Sequence, residues 1–147
     1  MLTEAAAWAR ARTGVAMWPV PFPVEAVRPS VEGGSVVLAL RADRIVGAFA
    51  LTFEDLRVWG SQPPDAGYVH RVVVRRELAR QGLGALLLEE AEGRARREGK
   101  TKLRLDTVAA NQRLRAYYRG LGYREVGRAR AGPPGEELDL VLFERAL

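Results

Sequence analysis

The chain has 147 residues, of which 48% are hydrophobic and 28% charged, and its formal net charge is +5. This size predicts a single globular domain over residues 1–147. With no cysteine and one histidine, disulfides, thiolate chemistry and a histidine-rich metal site are excluded, so we predict no metal. The sequence has no membrane-length apolar run and no basic-then-apolar leader, which predicts a cytoplasmic protein with no membrane partner.

The basic balance, with a pI near 10.2, suits an anionic partner, either nucleic acid or a phosphorylated small molecule. Between Glu89 and Lys100, however, basic residues alternate with glutamates. Such alternation is typical of a solvated helix face and not of a nucleic-acid stripe. The charge pattern therefore favours a phosphorylated small molecule.

The N-terminal half begins with helical propensity and then becomes irregular. Four prolines between Met17 and Pro29 exclude long helices there, so this segment is expected to wrap over the surface. Two apolar runs joined by a turn at Ala42 to Arg44 predict an antiparallel hairpin. The predicted elements are a helix over Ala5 to Arg12, strands over Ser35 to Arg41 and Ile45 to Phe53, a loop over Glu54 to Ala66 and a strand over Gly67 to Val74.

The C-terminal half alternates between helical and strand periodicity. The predicted elements are a helix over Gly82 to Arg97, a strand over Lys102 to Val108, a helix over Asn111 to Gly120, a strand over Gly122 to Arg128, a loop over Ala129 to Glu137 and a strand over Leu138 to Phe143. A strand, a crossover helix and a further strand in sequence predict one parallel pair within an otherwise antiparallel sheet. The fold class is therefore α/β with a mixed sheet.

The junction between strand and helix at residues 72–85 predicts an anion site. Val72, Val73 and Val74 favour a buried strand, and the polar residues after them require a turn. Gly82 and Gly84 let the backbone approach a ligand closely. The first helical amides, those of Leu83, Gly84 and Ala85, have no intrahelical acceptor, and the helix dipole favours a phosphate there. The alternative is a tight turn without a ligand.

Three motifs in order, ARQGLGALLL after VHRVVV, an asparagine at Asn111 and a Tyr-Tyr-x-x-x-Gly-Tyr run ending at Tyr123, resemble the GCN5-related N-acetyltransferases. The resemblance covers roughly Ile45 to Val126. It implies the acyl-CoA N-acyltransferase fold, a mostly antiparallel sheet of about six to seven strands flanked by about four helices. It also implies that acetyl-CoA binds where the central parallel strands splay apart, between Val72 to Val74 and Lys102 to Val108.

The same resemblance assigns the cofactor contacts. The pantetheine arm would bond to the strand backbone of Val72, Val73 and Val74, and Asn111 and Tyr118 would contact the cofactor. Asn111 is also a natural helix N-cap, and the two roles are compatible. Ala79 stands where the family usually has glutamine or arginine, and Arg80 stands where glycine is common, so the arginine can add a charged phosphate contact. The pyrophosphate loop would consist of Arg80, Gln81, Gly82, Leu83, Gly84 and Ala85.

Tyr118 falls where the family often places a tyrosine near the thioester sulfur. A phenol suits that place because attack by an amine expels a thiolate that needs a proton. We therefore predict Tyr118 as the general acid, while Tyr117, Leu121 and Tyr123 anchor the core. The alternative for each tyrosine is packing alone.

The acceptor amine must lose a proton, which requires a base or a water relay. His70 is the candidate base, because on a regular strand its side chain projects to the same face as those of Val72 and Val74. Asp106 and Glu54 are the alternatives. Each of the three residues also has a non-catalytic alternative. His70 would be packed or surface-exposed, Asp106 would form a cap, and Glu54 would lie in a solvated loop.

The resemblance thus implies an enzyme that transfers an acetyl group from acetyl-CoA to a primary amine of a small molecule or protein, by direct attack in a ternary complex. The alternative is a non-catalytic module that senses acyl-CoA or binds nucleic acid. We expect the N-terminal segment and the two predicted loops to hold the acceptor, with Trp18, Phe22 and Trp59 as an apolar wall. The family's first strand has no counterpart unless Met1 to Thr3 forms an edge strand, and a homodimer partner could complete the sheet.

Overall fold

The computed structural model describes residues 1–14 and 17–147. The α-helices are α1 (Leu2–Thr13), α2 (Arg28–Glu32), α3 (Leu83–Arg97) and α4 (Gln112–Gly120), with short 3₁₀ helices at Val24–Ala26 and Arg76–Leu78. The strands are β1 (Val36–Arg41), β2 (Arg44–Thr52), β3 (Ala66–Val74), β4 (Lys102–Val108), β5 (Arg124–Ala131) and β6 (Leu138–Ala146). In the part of the chain that is described, no helix is both long and apolar enough to cross a membrane.

The six strands form one sheet in the order β1-β2-β3-β4-β6-β5. The β3–β4 pair is parallel, and the β1–β2, β4–β6 and β5–β6 pairs are antiparallel. The crossover from β3 to β4 runs through α3, as a parallel connection requires. The predicted mixed sheet, its parallel pair and the four helices are confirmed.

The chain divides into two compact units, Met1–Leu51 with Val69–Glu90 and Thr52–Tyr68 with Ala91–Leu147. In the first unit the β1–β2 hairpin turns through Ala42 and Asp43, which both have positive φ (47° and 62°). This is the backbone of a type I′ turn, whose twist matches that of the strands it joins. Gly47 lies in β2 where a Cβ would stand 3.0 Å from Leu87 Cδ1 and 3.2 Å from the carbonyl oxygen of Val73. The glycine inside this strand therefore allows close packing.

The second unit has its core on β4 and β6, where Leu103, Val141 and Phe143 are fully buried. Two charged side chains are also buried in it. Glu92 accepts hydrogen bonds from the Tyr123 hydroxyl and from Arg145, both at 2.9 Å. The second, Arg104, pairs with Glu144 (2.9 Å). Because a buried charge is costly unless it is paired and hydrogen-bonded, these partners explain how the core tolerates both groups.

Several predicted element bounds are wrong. Residues 2 and 3 lie in α1, so Met1 to Thr3 do not form an edge strand. β5 continues to Ala131, into the predicted loop over Ala129 to Glu137, because its antiparallel register with β6 extends to the pair Ala131 and Leu138. The pairing of two strands thus overrides the local turn signals, and the loop contains only residues 132–137.

Candidate active site

The predicted phosphate loop lies in the first unit, between the end of β3 and the start of α3. Two of its residues have left-handed backbone, Arg80 (φ 67°) and Gly82 (φ 80°). A Cβ added at Gly82 would meet no atom within 4 Å, so the backbone conformation and not the available space favours glycine there. The left-handed turn at Gly82 is followed at once by Leu83, the first residue of α3.

The helix amides at this junction are only partly available. Helix geometry leaves those of Leu83 and Gly84 without an intrahelical acceptor. The Ala85 amide, however, donates to the Gly82 carbonyl oxygen at 3.0 Å. The prediction that the Ala85 amide is open to a ligand is therefore wrong, because the first turn closes on itself through a bond of the 3₁₀ type.

The described register of the parallel pair lies at the first residues of each strand. It joins Ala66 to Lys102, Gly67 to Leu103 and Tyr68 to Arg104. β3 nevertheless continues to Val74 and β4 to Val108. The three valines proposed as cofactor contacts, Val72, Val73 and Val74, lie in the part of β3 beyond this register.

β3 is also irregular beyond the register. Arg71 has a φ of 53°, which is left-handed backbone inside a strand. A residue in this conformation interrupts the alternation of side chains along the strand. We expected His70 to share a face with Val72 and Val74 because we assumed a regular strand. Since the strand is irregular at Arg71, that argument no longer supports the shared face. His70 itself is half-buried.

Asn111 and Tyr118 lie in the second unit. The Leu114 amide donates to Asn111 Oδ1 at 3.1 Å, so Asn111 is the N-cap of α4. Tyr118 is 7% exposed, and its ring packs against Phe143 and Tyr123 with centroids 5.6 and 6.1 Å apart. Burial, with further contributions from Asp106 and then Tyr117, raises the pKa of Tyr118 well above that of a free phenol. Its hydroxyl therefore keeps its proton at physiological pH.

The other aromatic and apolar predictions have mixed outcomes. Tyr123 is buried as expected, but Tyr117 is 40% exposed and does not anchor the core. Leu121 is half-buried. The three residues predicted to form an apolar wall lie in two edge-to-face pairs, Trp18 with Phe22 in the first unit and Trp59 with Tyr68 in the second, each with centroids 5.8 Å apart. Their contact with an acceptor stays a prediction.

Two carboxyl groups lie close together in the second unit, and the sequence analysis considered only one of them, Asp106, as a functional group. Asp106, on β4, has a carboxylate oxygen within 4.8 Å of one on Asp55. Burial first, and then the charge of Asp55, raises the pKa of Asp106 to about 6. Asp55 Oδ1 accepts from the Val58 amide (3.2 Å), while its buried Oδ2 has no hydrogen-bond partner among the described residues. The sequence carried no signal for this pair, because the two residues are brought together only by the fold.

The comparisons with known proteins agree with this architecture. A sequence model of the acetyltransferase (GNAT) family matches residues 4–123. The chain is 33% identical over 108 residues to the uncharacterized N-acetyltransferase YesJ of Bacillus subtilis, a match that covers 70% of this chain and 60% of that protein's length.

Two solved structures show the same fold. A GNAT-family acetyltransferase from Listeria monocytogenes superposes with a TM-score of 0.74 and 23% identity, covering 99% of this chain and 86% of that one. A GNAT-family acetyltransferase from Elizabethkingia anophelis, crystallised with acetyl-CoA bound, superposes with a TM-score of 0.67 and 19% identity. That match covers 90% of this chain and 94% of the other. Together with the sequence match over most of the chain, these findings show that the chain belongs to the acetyltransferase (GNAT) family.

Proposed function

We propose that this chain transfers an acetyl group from acetyl-CoA to a primary amine. The observation that carries the proposal is the parallel pair whose described register joins Ala66 to Tyr68 with Lys102 to Arg104, while β3 continues as strand to Val74. In the proposal, the backbone of Val72, Val73 and Val74 bonds to the pantetheine amides. A strand amide, that of Val73 or Val74, polarises the thioester carbonyl.

The diphosphate of the same cofactor would be bound by Arg80, Gln81, Gly82, Leu83 and Gly84. The left-handed turn at Gly82 and the amides of Leu83 and Gly84, which have no intrahelical acceptor, support this assignment, since such amides at the start of a helix can bind an anion. The Arg80 side chain is exposed and would add a charge-assisted contact to a phosphate oxygen. Asn111 would contact the cofactor in addition to capping α4.

The transfer itself requires a neutral amine. Its nitrogen forms a bond to the carbonyl carbon, the carbon–sulfur bond breaks and the sulfur leaves as a thiolate. We assign Tyr118 as the group that donates its hydroxyl hydrogen to this sulfur. Because burial raises the pKa of Tyr118 and a thiol has a pKa near 8.5, a strong hydrogen bond to the thiolate is favoured over complete proton transfer.

For the base we favour Asp106, with His70 as the alternative. A pKa of about 6 leaves the Asp106 carboxyl ionised at neutral pH yet closer to that pH than an ordinary aspartate. A base is most effective when its pKa lies near the working pH. The nearby carboxyl of Asp55 supports this role, because its negative charge raises the proton affinity of Asp106. Glu54 is exposed, which fits a solvated loop residue.

Calorimetric titration with acetyl-CoA at physiological salt, with nicotinamide dinucleotide as the negative control, tests the cofactor. We expect saturable binding in the micromolar range, about −8 kcal/mol, for acetyl-CoA alone. Thiol release in a panel of primary amines then tests the transfer. Binding without thiol release for any amine would contradict the enzymatic proposal and favour an acyl-CoA sensor. Equal binding of acetyl-CoA and of the nicotinamide dinucleotide would contradict the cofactor.

A further inference from the structure

Arg71 differs in its partners from Arg104, Arg115 and Arg145, which are also buried or partly buried but form ion pairs with glutamates. Its Nη1 donates to the Ala26 carbonyl oxygen at 3.1 Å, and its Nη2 donates to Ser30 Oγ at 2.5 Å. Both acceptors are neutral. The side chain makes no ion pair with any residue in the described ranges 1–14 and 17–147, although the residue is only partly exposed.

Arg104 shows how the same chain treats a buried guanidinium elsewhere. It is held by Glu144 at 2.9 Å and lies 3.8 Å from Asp65. At Arg71, by contrast, burial lowers the guanidinium pKa, because no carboxylate compensates for the lost water. A partly desolvated and unpaired positive charge is costly, and an anion that occupies the site recovers that cost.

The guanidinium also has hydrogen-bond donors to spare. It carries five N–H groups in a planar fork that matches a carboxylate, and two of them are used by Ala26 and Ser30. The left-handed backbone of Arg71 is a second indication of a functional role. This conformation is unfavourable for a residue that has a Cβ, and such backbone strain concentrates at functional sites.

Position decides which anion is expected. Arg71 directly precedes Val72 to Val74, and two strand residues span about 7 Å, so the Arg71 backbone lies within the length of a small molecule from the strand amides proposed for the thioester. The Arg71 guanidinium donates hydrogen bonds to Ala26 and Ser30. Ala26 belongs to the segment over Met17 to Pro29 that we expect to contact the acceptor, and Ser30 directly follows it. The cofactor phosphates are assigned to the loop after β3.

We propose that Arg71 binds a carboxylate of the acceptor, so that the substrate is a primary amine that also carries a carboxylate, such as an amino acid. The inference rests on the proposed acetyl transfer. It adds an acceptor class that neither the family match nor the relatives assign.

The test compares matched acceptors in the thiol-release assay: L-leucine with L-leucinamide and L-methionine with L-methioninamide, each rate expressed per neutral amine. We expect the wild-type protein to favour the carboxylate member at least tenfold in kcat/KM. Arg71→Gln, which removes the charge and keeps a side-chain N–H donor, should lower kcat/KM for that member at least tenfold, mainly through KM. The carboxamide should change less than twofold. Arg71→Lys, which keeps the charge, should retain most of the preference.

Other outcomes are distinguishable. Equal loss for both members would mean a purely structural role and would overturn the inference, as would a wild-type preference below twofold. Weaker acetyl-CoA binding by Arg71→Gln with an unchanged acceptor preference would assign the anion to the cofactor and also overturn it. If Arg71→Gln does not fold, the wild-type ratio and Arg71→Lys decide. No thiol release with any amine would instead refute the proposed function.

Discussion

Replacing Arg80 with glycine should stabilise the fold and weaken the cofactor site at the same time. Arg80 holds a φ of 67°, a conformation that costs a residue with a Cβ about 1–2 kcal/mol. Glycine removes that cost, but the greater conformational entropy that it gives the unfolded chain lowers the unfolding free energy by about 0.4–1 kcal/mol. With the middle value of each range, the net gain in unfolding free energy is about 0.8 kcal/mol, which corresponds to a rise of roughly 2–3 °C in Tm for a chain of this size.

The cost appears in binding. If the Arg80 guanidinium contacts a phosphate of acetyl-CoA, its loss removes one charge-assisted hydrogen bond, and we expect Kd to rise by about tenfold, or ~1.4 kcal/mol. The salt dependence of Kd should also become shallower. Calorimetry and thermal unfolding of the same preparations measure both effects.

Ala42→Gly is the matched control. Ala42 also has a positive φ (47°) but lies in the β1–β2 turn, so the variant should raise Tm by a similar amount and leave Kd unchanged. A lower Tm for Arg80→Gly, with Ala42→Gly more stable than wild type, would refute the strain argument at residue 80. An unchanged Kd would refute the phosphate contact.

Three further outcomes follow from the site. Gly84→Glu should abolish acetyl-CoA binding in the calorimeter through bulk and negative charge, and undiminished affinity would overturn the loop assignment. Tyr118→Phe should lower kcat by at least tenfold with Kd for acetyl-CoA within twofold, and equal rates would remove the hydroxyl from the mechanism. Because the pKa of Asp106 is raised from 3.8 to about 6 in the folded protein, its ionised form lowers the unfolding free energy. This loss of stability is complete above pH 6 and disappears below the pKa of 3.8 in the unfolded chain. Asp106→Asn should therefore stabilise the protein by on the order of 2–3 kcal/mol at pH 7.5 and by much less at pH 4, whereas an equal gain at both would contradict the burial argument.

Features that depend on neighbours along the chain could be predicted from the sequence. The periodicity of apolar residues located the strand over Lys102 to Val108 and the helix that begins at Leu83. The order of strand, helix and strand required the parallel pair. Asn111 was predicted as a cap because capping involves an amide only three residues away. In each case the interaction is local, so the residue types alone specify it.

Other features were decided only by tertiary structure. Tyr117 and Tyr118 are adjacent in the chain, yet one is exposed and the other buried, because burial depends on what packs against each face of α4. The pKa of Asp106 depends on Asp55, and the neutral partners of Arg71 come from the N-terminal segment. Local pattern thus determined most of the elements and the position of the turn at Gly82 before α3, where we propose that the phosphates bind. Charge, burial and proton affinity at the site depend on groups distant in sequence, because the dielectric and electrostatic environment of a side chain is set by whatever the fold places around it.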